Sequence, residues 1–132
     1  MNNLQDRLQD VFFYGLYIDK EILESKGVEA RNPRIAAVSG YKLRVGKYAT
    51  LLREENAKAH GIVFSLTHEE IDKLYAGAGL DMYVVEALLV ETKQGASLPV
   101  LCCNLLIPPL DDESNPEYSM KLDACMKKYG VL

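Results

Sequence analysis

The pattern of apolar and polar positions along the chain predicts strands that are separated by short helices. Continuous apolar runs at Val11–Tyr14 and Gly61–Leu66 predict buried strands. Ile35–Val45 and Met82–Thr92 are longer, and their β-branched and aromatic residues favour strands as well. Leu98–Ile107 follows a glycine-containing turn and is predicted to form a hairpin with the strand before it.

Three short helices are predicted from residues that suit helix ends. Asp19 can cap a helix over Lys20–Lys26, and Thr67 with Glu70 three residues later forms a capping-box sequence. Asn115 is followed by a proline, a combination typical of a helix start. The apolar residues of the last helix recur on one face: Tyr118, Leu122, Cys125, Met126 and Tyr129.

The remaining segments are predicted to connect these elements within one domain. Residues 1–9 are expected to be a loose or helical lead-in, Tyr48–Leu52 an extension of the sheet and Glu54–Lys58 a polar turn. Clustered strands with helices between and after them favour the α+β class with a curved, mixed sheet. The length of 132 residues suits a single domain over residues 1–132.

Composition and charge exclude several classes of partner. Apolar residues make up 48% and charged residues 26%, as in ordinary globular proteins. The net charge of -4 disfavours a nucleic-acid surface. Apolar runs stay far below the roughly 20 residues that span a bilayer, and the N-terminus lacks an apolar signal core. We therefore expect a cytoplasmic protein that binds neither nucleic acid nor membrane.

The three cysteines do not make a disulfide framework. Cys102 and Cys103 are adjacent, and neighbouring residues of a strand point to opposite faces. Reduced, buried thiols are therefore expected, in keeping with a cytoplasmic location. His60 and His68 have no partner at metal-ligand spacing, so neither a metal nor another cofactor is predicted.

Four sequence elements occur in the order typical of one known family. They are the Tyr-Gly pair at Tyr14, the frame Leu74…Gly79…Tyr83, the strand that opens with Met82-Tyr-Val-Val, and Asn115-Pro-Glu-Tyr. From Val11 to Leu132 the chain resembles the gamma-glutamylcyclotransferase-like family. The resemblance implies a compact, barrel-like mixed sheet with flanking helices.

The resemblance also implies a site that has lost its acid/base group. The family pattern Leu-Asp-x-x-Glu-Gly carries the catalytic Glu, but Ala78 occupies that position here. Cyclisation of a γ-glutamyl compound to 5-oxoproline needs a base for the attacking amine and an acid for the leaving amine. Ala78 can supply neither, although Asp81 or Glu86 are candidate substitutes.

The part of the site that binds substrate depends less on side chains than the acid/base group does. In the family the turn after the first strand reads Tyr-Gly-Ser-Asn-Leu or Tyr-Gly-Thr-Leu, and its backbone N–H groups can hold a carboxylate. Here Leu16 replaces the small polar residue, which removes a hydroxyl donor and adds bulk. The resemblance assigns substrate binding to these positions: Tyr14, Gly15, Leu16, Tyr17, Ile18 and Cys103.

We expect a catalytically inactive or altered member of this group, a pseudoenzyme, with a pocket for a small amino-acid-like or carboxylate ligand. One alternative is an active cyclotransferase that releases 5-oxoproline from glutathione or γ-glutamylamines with a substituted carboxylate. Another is a protein-interaction scaffold. A homodimer is left open.

Overall fold

The computed structural model describes residues 2–77 and 80–132 and folds them into a closed barrel of five strands with helices packed outside it. In chain order the elements are β1 (Gln9–Phe13), a 3-10 turn (Leu16–Ile18), α1 (Lys20–Ser25), β2 (Arg31–Val45), β3 (Ala49–Leu66), α2 (His68–Leu74), β4 (Tyr83–Thr92), β5 (Ser97–Leu105) and α3 (Pro116–Lys128). This confirms the predicted α+β class and the barrel-like sheet.

Strand order around the barrel is β1-β3-β2-β4-β5. Four of these strand pairs along the described chain are antiparallel, including the predicted β4–β5 hairpin, which runs from Tyr83 opposite Leu105 to Glu91 opposite Ser97. The barrel closes where β1 and β5 lie parallel, with Val11 opposite Leu101. The sheet is therefore mixed, as predicted.

Alternation along the strands divides the apolar side chains between two cores. Phe12 and Tyr14 point into the barrel, whereas Val11 and Phe13 point outward to the helices. The inner cluster consists of Phe12, Tyr14, Ala36, Val38, Ala49, Leu51, Ala59, Val63, Val90, Val100 and Cys102. Each fully buried Leu, Ile or Phe contributes roughly 1.5–3 kcal/mol to stability, so both cores matter.

Adjacent cysteines follow the same alternation. Cys102 belongs to the inner core and Cys103 to the outer one, which confirms that they point to opposite faces. Cys125 packs from α3 into the outer core. All three thiols are buried and none forms a disulfide.

The three predicted helix starts are confirmed. The Asp19 carboxylate accepts from the Glu21 N–H at 2.9 Å, and the Asn115 side chain accepts from the Tyr118 N–H at 3.1 Å. Both halves of the capping box at Thr67 are present. No helix in the described part of the chain is both long and apolar enough to cross a membrane.

The predicted polar turn at Glu54–Lys58 is wrong. These residues lie within β3, at a register shift opposite the β2 segment from Ser39 to Tyr41. Asn56 has φ 66° and Gly40 has φ 82°, left-handed values that accommodate extra residues in one strand. The exposed residues of this bulge are polar, which is why the segment resembles a turn in sequence.

Some element boundaries also differ from the prediction. β2 begins at Arg31 rather than Ile35, because its pairing with β3 starts at Arg31 opposite Ser65, before the apolar run. β5 ends at Leu105 rather than Ile107. Residues 2–8 contain a turn and no helix, which agrees with the loose alternative of the predicted lead-in.

Candidate binding site

A cavity of about 240 Å³ opens beside the end of β1. Its walls come from the segment after β1, the β2–β3 turn, the segment between α2 and β4, and α3. Among the described residues the lining consists of Phe13, Tyr14, Gly15, Leu16, Tyr17, Ile22, Lys47, Tyr48, Ala49, Tyr75, Leu80, Tyr83 and Tyr118. Aromatic rings therefore form most of the wall.

A close contact between the turn after β1 and α3 shapes one side of the cavity. The Tyr118 hydroxyl accepts from the Leu16 N–H at 3.1 Å. A side chain at position 15 would overlap this hydroxyl, so the approach requires the glycine at Gly15. The chain then makes a 3-10 turn in which the Ile18 N–H donates to the Gly15 carbonyl at 3.0 Å.

Two backbone donors beside the cavity remain available. The N–H groups of Gly15 and Tyr17 have no hydrogen-bond acceptor among the described residues. Both residues line the cavity and both are only partly buried. Free N–H groups of this kind attract anions.

The tyrosine hydroxyls, by contrast, are largely directed at the protein backbone. Tyr14 donates to the Cys103 carbonyl at 2.7 Å, and Tyr17 donates to the Leu74 carbonyl at 2.7 Å. The Tyr83 hydroxyl donates to the Ala49 carbonyl. These hydrogen bonds fix the positions of the tyrosine rings, so the faces and edges of the rings line the cavity.

Ring-to-ring contacts complete the wall. The Phe13 and Tyr17 centroids are 5.9 Å apart, those of Tyr17 and Tyr75 5.7 Å, and those of Tyr75 and Tyr83 5.2 Å. The first two pairs are edge-to-face and the third is tilted, and contacts between aromatic rings at these distances are favourable. Burial raises the pKa of Tyr14, Tyr75 and Tyr83 above the usual value, so these phenols stay neutral at physiological pH.

Lys47 is the charged residue in the described lining. Its side chain is exposed at the rim, with the ammonium 5.6 Å from the centre of the Tyr48 ring. None of the ion pairs among the described residues involves it. The Lys47 ammonium therefore has no ion-pair partner among the described residues, whereas the Lys47 backbone N–H donates to the Glu113 carboxylate at 2.5 Å.

Four of the six predicted binding residues line this cavity: Tyr14, Gly15, Leu16 and Tyr17. Ile18 does not, because it is fully buried and its side chain joins the outer core beneath the turn. Cys103 is not in the lining either. Its carbonyl accepts from Tyr14, and burial raises the pKa of its thiol to about 11.

The candidate substitute carboxylates lie apart from the cavity. Asp81 is exposed in the turn before β4, and the lining contains its neighbour Leu80 instead. Glu86 is exposed on β4 and accepts from the Asn104 side-chain amide at 3.0 Å. Ala78, at the position of the family's acid/base, lies outside the described residues.

Sequence reasoning did not assign Lys47, Tyr48 or Tyr118 to the site. Tyr118 belongs to the Asn115-Pro-Glu-Tyr element, which was interpreted as a helix start and as part of the family resemblance but not as part of the site. The contact that brings it to the turn after β1 spans 102 positions of the chain. The sequence marks Lys47 only as a residue of a tight turn, which does not indicate a binding role.

No protein-family model matches the sequence. No curated protein matches it in sequence either. Solved structures do resemble it. A gamma-glutamyl cyclotransferase has a TM-score of 0.78 at 19% identity, over 94% of this chain and 81% of that one.

Two further solved structures extend the comparison. The Homo sapiens protein loc79017 has a TM-score of 0.77 at 18% identity, covering 96% of this chain and 82% of that one. An AIG2-like protein from Mus musculus has a TM-score of 0.58 at 14% identity, covering 88% and 94% respectively. The chain therefore has the gamma-glutamyl cyclotransferase-like fold, as the resemblance implied.

Proposed function

We propose that this chain binds a small carboxylate ligand in the cavity beside Gly15 and does not release 5-oxoproline. The observation that carries the proposal is the composition of the described lining, which offers N–H donors and a lysine but no carboxylate. A carboxylate ligand can bind to the N–H donors and to the lysine. Cyclisation needs a proton acceptor close to the reacting amine.

The open cavity supports ligand binding over a role as a bare scaffold. Leu16 and Tyr17 lie in its wall and leave about 240 Å³ free. That volume corresponds to roughly eight water molecules at their share of the liquid volume. A ligand of about ten non-hydrogen atoms fits such a space.

The catalytic half of the proposal is tested with the substrates that the fold suggests. Purified protein is incubated with γ-glutamyl-alanine, γ-glutamyl-lysine or glutathione, and 5-oxoproline is measured. We expect no release above the buffer blank. A positioned carboxylate contributes roughly 10²–10⁴-fold to such a reaction, so its presence would be obvious.

An active enzyme would give a different result in the 5-oxoproline assay. Release of 5-oxoproline that is lost in Asp81→Asn or Glu86→Gln, but kept in Asp111→Asn, would establish an active enzyme with a substituted carboxylate. Asp111 is a suitable control because it is exposed in the loop before α3 and lies outside the cavity.

The binding half is tested by amide NMR. Titration with glutarate should shift the Gly15 and Tyr17 resonances more than those of the β2–β3 bulge, such as Asn56. Absence of any shift at millimolar ligand would contradict carboxylate binding in this cavity.

A further inference from the structure

The cavity's polar groups are few, and several already have partners within the protein. The hydroxyls of Tyr14, Tyr17 and Tyr83 donate to backbone carbonyls, and that of Tyr118 accepts from an amide. Tyr48 and Tyr75 add hydroxyl groups to the lining. A ligand therefore meets ring faces and aliphatic side chains over most of its surface.

The charges of the described lining are unbalanced. Lys47 contributes a positive charge, whereas no Asp or Glu is present to accept from a cation. An amino acid bound here would bury its α-ammonium against neutral groups. Burying an unpaired ammonium is costly, whereas a carboxylate would face Lys47.

Apolar contact favours a ligand with a sizeable hydrocarbon body. The rings of Phe13, Tyr17, Tyr75 and Tyr83 form a continuous series of contacts along the wall, two of them edge-to-face and the third tilted. Leu16, Ile22 and Leu80 add aliphatic surface. Ligand surface removed from water against such a wall contributes to affinity, and a planar ring fits between aromatic neighbours.

We infer that the ligand is a carboxylic acid with an aromatic or similarly apolar body and no α-ammonium group. This inference rests on the proposed function, because it assumes a carboxylate in the cavity. The inferred class of ligand is narrower than amino-acid-like compounds and does not include γ-glutamyl compounds. It consists of compounds with a single carboxylate on an otherwise uncharged body.

Four ligands test the inference, and they differ in two features: the α-ammonium group and the aromatic body. 3-Phenylpropanoate is phenylalanine without its ammonium, and glutarate is glutamate without its ammonium. Dissociation constants are measured by calorimetry or NMR titration under one buffer and salt condition. We expect 3-phenylpropanoate to bind at least tenfold more tightly than phenylalanine and than glutarate, with glutamate weakest.

Two lysine variants locate the bound carboxylate. Lys47→Gln removes the charge at the cavity mouth, and we expect 3-phenylpropanoate to bind about fivefold more weakly, an effect that shrinks at high salt. Lys58→Gln is the matched control, since Lys58 is equally exposed but lies outside the cavity. Both positions are at the surface, so neither variant should disturb folding.

The outcomes separate this inference from the proposed function. If glutamate or phenylalanine binds as tightly as its deaminated partner, the inference is overturned while carboxylate binding stands. If glutarate equals 3-phenylpropanoate, the apolar body has no role and the inference is again overturned. If none of the four binds, both the inference and the proposed binding function fail.

Discussion

At the scale of single residues, the contact between Gly15 and Tyr118 shapes the candidate site. A Cβ at position 15 would overlap the Tyr118 hydroxyl but would lie 3.8 Å from Cζ, an ordinary contact. We therefore expect Gly15→Ala to destabilise the protein by roughly 1–3 kcal/mol through overpacking, measured as the free energy of unfolding in urea.

The partner variant makes this prediction specific to the hydroxyl. Tyr118→Phe alone should cost about 1 kcal/mol, because the Leu16 N–H loses its acceptor. In the Tyr118→Phe background, Gly15→Ala should cost much less than in the wild type, since the overlapping atom is gone. Additive effects of the two substitutions would show that the close approach does not limit position 15.

These residues also show which part of the cavity lining could be predicted from the sequence. Tyr14, Gly15, Leu16 and Tyr17 were predicted because they form one continuous segment with a recognisable Tyr-Gly pair. The opposite wall was not predicted, because Lys47 and Tyr118 reach the cavity only through strand pairing and helix packing. Local patterns carry no information about which distant segment packs against a turn.

At the scale of elements, an ion pair joins α2 to β2. Glu70 accepts from Arg31 at 2.7 Å, from the Thr67 N–H at 2.9 Å and from the Glu29 N–H at 2.9 Å. Burial opposes the charged form of Glu70. The hydrogen bonds from Arg31, Thr67 and Glu29 outweigh burial and lower the Glu70 pKa from 4.5 to about 2.

The lowered pKa predicts the pH dependence of stability. Because the folded-state pKa lies below the unfolded value of 4.5, this stabilisation is complete above pH about 4.5 and is lost as pH falls toward about 2. Glu70→Gln should cost about 2 kcal/mol near pH 7 and should remove most of the fall in that acid range. Thermal or urea unfolding at several pH values measures both effects.

Glu69→Gln is the matched control for this prediction. Glu69 lies on the same helical turn, but it is exposed and its side chain has no hydrogen-bond partner among the described residues. Its substitution should change stability by less than about 0.5 kcal/mol. An equal loss in both variants would mean that general charge, rather than the Arg31 pair, stabilises the α2 start.

The same elements show which parts of the fold could be predicted. The helix starts could be predicted, because the capping side chain and the backbone N–H that donates to it lie within three residues of each other. The bulge in β3 could not be predicted, because its exposed polar residues have the composition of a turn. Only the pairing with β2 shows that the strand continues past Glu54 and Glu55. Strand continuity depends on long-range partners, and the amino-acid pattern alone does not reveal them.

At the scale of the whole molecule, the three thiols report on whether the barrel and its outer layer open. Cys102 is completely buried inside the barrel, Cys103 is buried in the outer core, and Cys125 packs from α3 into that core. Burial raises the pKa of all three, that of Cys103 to about 11. Native thiols should therefore react slowly with Ellman's reagent at pH 8, because the thiolate is scarce and access requires opening.

The order of labelling should follow the structure. We expect Cys125 to react first, through local opening of α3, and Cys102 at least about tenfold more slowly, because it needs the strands to separate. All three should react rapidly in concentrated guanidinium chloride. Mass spectrometry of peptides from partly labelled protein gives the three rates. Cys125→Ser should leave the Cys102 rate unchanged. Rapid labelling of Cys103 in the native protein would contradict the burial of this thiol in the outer core.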